Sequence, residues 1–311
     1  MKRFLILLLG LGPALTGHSE PASIAPQIKR VEGLSIRVVG GGWGSVDPDD
    51  IRQFLALVSR QFFATFGDRV APSIQVRHRF GAPQVAYDRS PEGEFVIELT
   101  ARNERWYQYA YQFSHELCHV FSRFDRKEHG AEIVRSNQWF EESVCEAASL
   151  YALRQLVQTW PTEPFAARFP AAGRVLAQYA QELISQPHRQ LPEGTAFAAW
   201  FADNQAALRD EPYQRQKNEL VAAVLLPLFE DEPRGWASLA FLNVGADAQH
   251  TSFEDYLEAW RNAAPAELQP FVARIEVAFG IRARAAPTAA SAPGLKSPLS
   301  RSPRAAPASG N

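Results

Sequence analysis

Two histidines four residues apart enclose a glutamate in the pentapeptide His115-Glu116-Leu117-Cys118-His119. On a helix, four residues turn the side-chain direction by about 40° and rise roughly one turn, so both imidazoles can converge on one ion with Glu116 on the same side. Neutral imidazole is a good zinc ligand, and a carboxylate beside an open coordination position can accept a proton from water. Catalytic zinc is held by three protein ligands, so a third is required. The stretch "NQWFEESVCEAASLYALRQL", 137–156, supplies one in Glu142, with Glu146 one turn further on. Glu142 can bind the ion, and Glu146 can accept the second N–H of a ligating histidine. Glu141 points about 100° away from Glu142, which places it in solvent or on a cleft rim.

This arrangement resembles the gluzincin metallopeptidases, in which His-Glu-x-x-His on one helix is completed by a glutamate on a second. That glutamate often follows a Trp and two residues, as in Trp139-Phe140-Glu141-Glu142. The resemblance covers roughly residues 94–156. It implies Zn2+ as cofactor, His115, His119 and Glu142 as its ligands, Glu116 as general base, and a peptide or protein substrate. It also implies an extended substrate laid along the strand 94–100 and a Tyr or His that stabilises the oxyanion, for which Tyr151, Tyr213, His250 and Tyr256 are candidates. The 22 residues between His119 and Glu142 are a longer gap than in the best-known branches, and Ser143 stands where the aminopeptidase pattern has Gly, so no branch is assigned. Asp125 is a rival third ligand, because "HELCHVFSRFD" has the spacing of the metzincin-like pattern. That pattern turns the chain at a glycine, and position 122 is Ser.

The elements that must carry these residues are legible in periodicity. Strands are expected at "LSIRVV" (34–39), "SIQVRHR", "PQVAYD" and "GEFVIELTA" (93–101). The last alternates, with Phe95, Ile97 and Leu99 on one face and Val96, Glu98 and Thr100 on the other, and reads as half-buried. A helix is expected over 47–66, with Asp47 as its N-cap and Pro48 at the first helical position. From Asn103 onward the pattern is helical, over 104–124, 137–158, 171–186, 196–209, 213–230, 252–262 and 266–279. The fold class is therefore α+β: a small N-terminal mixed sheet with helices, a zincin-like active-site helix, and a mostly helical C-terminal part. The organisation expected is a signal peptide over 1–19, a catalytic portion over 20–160, a helical portion over 161–281 and a disordered Ala/Pro/Ser/Arg tail over 282–311.

Lys2 and Arg3 before an apolar run that ends at Leu15, followed by Gly17-His18-Ser19, read as a signal peptide cleaved after Ser19, hence an exported protein. The run is shorter than the roughly 18–20 apolar residues a spanning helix needs, and no other segment reaches that length. With 34 acidic and 32 basic side chains in 311 residues and no basic cluster, nucleic acid is not an expected partner. The only two cysteines, Cys118 and Cys145, each lie three residues after a first ligand of their helix, so both are expected at the interface beside the metal. Export makes a Cys118–Cys145 disulfide a candidate, closing a loop of about 26 residues and contributing ~3 kcal/mol; two buried thiols are the alternative. The function expected is a zinc-dependent peptidase. The alternative of a different class is a non-catalytic zinc-binding protein of the cell envelope on the same scaffold.

Overall fold

The computed structural model describes residues 34–63, 72–126, 136–244 and 251–281. The expected signal segment 1–19, the tail 282–311 and the candidate His250 lie outside these residues. Four strands, β1 (Ser35–Val39), β2 (Ser73–His78), β3 (Gln84–Ala86) and β4 (Phe95–Leu99), form one sheet in the order β1-β2-β4-β3. β1, β2 and β4 are parallel, and β3 runs antiparallel to β4 with Val85 opposite Ile97. Helix α1 (Pro48–Phe63) joins β1 to β2. It starts as expected, the Asp47 side chain accepting the Asp49 N–H at 2.7 Å.

Strand β4 departs from the half-buried expectation, since all five of its residues are buried. Its neighbours explain this. β4 is paired on both sides, and the carboxylate on its polar face, Glu98, is covered by Arg77 at 2.7 Å, Arg79 at 3.1 Å and Gln84 at 2.6 Å. A buried charge with three donors is tolerated where an unpaired one is not. The edge expected to receive an extended ligand is thus not β4. The free edge beside the helices belongs to β3.

Helix α2 (Trp106–Phe121) follows β4 and packs along α3 (Gln138–Thr159). Then come a short α4 (Pro164–Arg168), α5 (Ala172–Ile184), α6 (Phe197–Asp210), α7 (Arg215–Asp231), α8 (Phe253–Ala263) and α9 (Gln269–Ala278). Short 3-10 segments at Trp160–Thr162, Pro187–Arg189 and Pro233–Phe241, and α4 itself, escaped the periodicity, being too short to complete an apolar stripe. The α+β class and the helical C-terminal part are as expected. One continuous apolar core runs from Ile36 on β1 to Phe279 after α9, so the strand-bearing and helical parts share an interior. No helix among the described residues is long and apolar enough to cross a membrane.

Helix α3 is the centre of this interior. From Gln138 to Leu153 every residue but Glu142 is buried, as expected of a helix with neighbours on all sides. Its sequence permits this through small side chains, Ser143, Ala147, Ala148, Ser149 and Ala152, which let α2, α5 and α7 approach. The Ser149 hydroxyl donates to the Tyr111 carbonyl at 3.0 Å and stitches α3 directly to α2. At the start of α3, Trp139 and Phe140 are locked against Phe253 at ring separations of 4.7 and 5.2 Å. These two anchors set the rotation of the turn that carries Glu141 and Glu142. Phe140→Ala is expected to cost about 3–5 kcal/mol in chemical denaturation, from lost burial and the cavity left behind.

Candidate metal centre

The α2–α3 contact brings together His115, His119 and Glu142, whose ligand atoms all lie within 4.8 Å of one another. Nε2 of His115 stands 3.3 Å from Glu142 Oε2, and Nε2 of His119 stands 3.7 Å from the same oxygen. Ligands at about 2.0–2.1 Å around a tetrahedral ion are separated by about 3.3 Å, so the two histidine–Glu142 spacings come near that value and the three groups could hold a metal ion once the wider spacing closes slightly. Burial would lower the imidazole pKa of His119, yet the Glu142 and Glu141 carboxylates hold it well above its ordinary value. Burial likewise opposes ionisation of Glu142, but His119 and His115 hold its carboxyl well below the usual range. Glu142 and the two histidines favour each other's charged forms, with His119 buried and His115 and Glu142 partly open to the cleft.

Glu116, one residue after His115, is 5% exposed and opens on the same cleft. Burial pushes its carboxyl above the usual range; the two histidines and the backbone N–H of Val85 on β3 pull it partly back. A carboxyl raised in this way is better matched to proton transfer near neutral pH. The cleft encloses about 380 Å3, and its other walls include Ala82 and Pro83 before β3, Tyr179 on α5 and Tyr213 before α7.

The orientation of the histidines differs from the sequence expectation. Glu141 is not in solvent: it is 0% exposed, and its Oε1 lies 2.7 Å from His119 Nδ1. Its Oε2 accepts from Asn243 Nδ2 at 2.8 Å, and Asn243 Oδ1 accepts from the Tyr256 hydroxyl at 3.1 Å. The 100° offset from Glu142 suggested solvent only because α3 was assumed to have a solvent face. Glu146, expected to orient a histidine, lies 3.9 Å from His115 Nδ1, beyond hydrogen-bond reach. It accepts from the Tyr111 hydroxyl and from Arg189 Nη2 at 2.7 Å, and Arg189 also meets Glu219 on α7 at 3.3 Å. Glu141 and Asn243 were missed. An apolar-and-small composition all round 138–153 was the available signal for the first, and none pointed to the second.

Asp125 is directed elsewhere. After Ser122 the chain turns at Arg123, which adopts φ 64°, and Asp125 pairs with Arg89 at 2.9 Å. Of the oxyanion candidates, Tyr213 lines the cleft. Tyr151 packs on Trp236, and Tyr256 is buried behind Asn243. Cys118 and Cys145 meet at the helix interface as expected, but as free buried thiols. Burial and the neighbouring Cys118 raise the Cys145 thiol well above its ordinary pKa.

The chain matches no protein-family model and no curated protein sequence. The site therefore stands on its geometry. Metal content measured by mass spectrometry of the folded protein is expected to fall sharply with Glu142→Ala and to be unaffected by Asp125→Ala. Glu141→Ala is expected to keep the candidate ligands but weaken metal affinity by about 10–100-fold in chelator competition, because His119 loses its orienting carboxylate.

Proposed function

We propose that this chain is an exported zinc-dependent metallopeptidase of gluzincin type. The observation that carries the reading is the convergence of His115 and His119 Nε2 on the Glu142 carboxylate, with the buried Glu116 carboxyl opening on the same cleft. A zinc ion held by these three side chains would polarise a carbonyl and acidify water there. Glu116 takes the proton of the attacking water and returns it to the departing amine, so one carboxyl serves both halves of the reaction. Export rests on the basic and apolar pattern of residues 1–19.

The cleft wall favours an extended peptide as substrate. β3 is the edge of the sheet, and Val85 on it lies beside Glu116, whose charged form its backbone favours. An edge so placed offers backbone groups to a further strand, and main-chain pairing is independent of substrate sequence. Tyr213 lines the same cleft and is 60% exposed, and its hydroxyl is the group we assign to a developing oxyanion.

Glu116→Gln is expected to retain zinc and the folded state while abolishing cleavage of a peptide library, since the amide cannot accept the proton. Undiminished cleavage would remove Glu116 from the mechanism. Zinc binding without cleavage by the unaltered protein would instead favour the non-catalytic reading of the same scaffold.

A further inference from the structure

The chain entering α7 forms one wall of the metal cleft, where Tyr213, Arg215 and Glu219 line the same cavity as His115, Glu116 and Glu142. Among the described residues that line it, Arg215 carries the one guanidinium. Its Nε donates to Glu219 Oε1 at 2.6 Å, which fixes the plane of the fork, and among the described residues this is the hydrogen bond the guanidinium makes. The two terminal nitrogens are left over. They belong to a side chain that is 75% exposed, whereas the Glu219 carboxylate that anchors it is 6% exposed. The first turn of α7 holds no acid to compete for them. Glu219 is not spent on Arg215 alone, since it also meets the buried Arg189 at 3.3 Å and is hydrogen-bonded to His188. The charge of Arg215 is therefore only partly offset. An ion pair spaced i, i+4 on a helix surface is ordinary. This one differs in its buried anchor and in the cleft in front of it.

We propose that Arg215 recognises a carboxylate of the substrate, making the cleft selective for peptides with a negative charge close to the bond that is cleaved. This selectivity belongs to the peptidase reading and rests on it. A guanidinium held at Nε still presents its far edge, where N–H groups of both terminal nitrogens match the two oxygens of a carboxylate. The size of the cavity sets the reach. About 380 Å3 holds no more than about three residues of extended chain at about 3.3 Å each, so a carboxylate on Arg215 lies within about three residues of a carbonyl beside His115 and Glu142. Two sources present the same group: the side chain of an acidic residue, or the C-terminal carboxylate of a short peptide.

The experiment is calorimetric titration of full-length Glu116→Gln protein in buffer containing Zn2+, so that probes are held and not cleaved. The probes are three N-acetylated pentapeptides: Ala-Ala-Gln-Ala-Ala amide, which is neutral, Ala-Ala-Glu-Ala-Ala amide, and Ala-Ala-Gln-Ala-Ala with a free C-terminus. A carboxylate peptide is expected to bind about tenfold more tightly than the neutral one, and the one that gains assigns the source. Adding Arg215→Gln, at an exposed position, is expected to erase that difference and leave the neutral peptide unchanged. Arg215→Lys keeps the charge without the fork and is expected to restore part of it. A merely structural arginine would weaken all three peptides alike. That result, equal binding of the three while Arg215 is intact, or no binding at millimolar peptide, overturns the assignment. Cleavage is read separately with the unaltered protein. Selective binding without cleavage keeps the role of Arg215 and removes the peptidase reading, whereas cleavage that Arg215→Gln leaves without change in rate or preference keeps the reading and removes the role of Arg215.

Discussion

The contact between α2 and α3 governs this molecule, because it forces two imidazoles and a carboxylate into a space that excludes most water. Each group resists dehydration singly, and together they compensate one another. Such a cluster persists only if the helices cannot slide or rotate apart. The small residues of α3, the Ser149 bond to the Tyr111 carbonyl and the aromatic anchors Trp139 and Phe140 meet that requirement. The same anchors rest on Phe253 of α8, so the helical C-terminal part is structurally continuous with the site rather than appended to it.

The acidic side chains of α3 are each satisfied from a different quarter. Glu141 is held by His119 and Asn243, Glu142 by the two histidines and Gln138, and Glu146 by Tyr111 and Arg189. Removing one donor leaves a buried carboxylate exposed to its full desolvation cost, which exceeds the net worth of the bond. The arrangement therefore specifies one helix rotation. A turn of about 100° would bring one of Glu141 and Glu142 to the direction of the other and carry the second away from all its partners.

Much of the scaffold was legible in the sequence because long periodic segments carry their own signature. The helices bearing the site were expected at 104–124 and 137–158 and occur at Trp106–Phe121 and Gln138–Thr159, and the Asp47 cap was readable from residue type alone. What escaped depended on partners distant in the chain. Val96 and Glu98 alternate like residues of a half-exposed strand, but Arg77 of β2, Arg79 just after it and Gln84 of β3 cover Glu98. Glu141 looks solvated beside Glu142 until Asn243, about a hundred positions later, is seen to close over it. The convergence of His115, His119 and Glu142 was inferable because the first two share a helix and the third follows a recognisable aromatic turn. The partner of His119 was not inferable, since two glutamates one residue apart compete for it and only tertiary packing chooses.

That choice has a consequence for how a metal would act on the whole fold. Held by His115 and His119 from α2 and Glu142 from α3, an ion would cross-link the same two helices that the apolar core already joins. Binding to the folded state alone adds stability by mass action, so affinity for the ion and stability of the α2–α3 pair are one linked quantity. Tyr256 and Asn243 extend the linkage to the segment before α8 and to α8 itself, and Arg189 with Glu219 extends it to α7. A substitution of Asn243 or Tyr256, remote in sequence from the histidines, would remove part of the hydrogen-bond chain that ends on His119 through Glu141. The C-terminal helices are best understood as the outer half of the site.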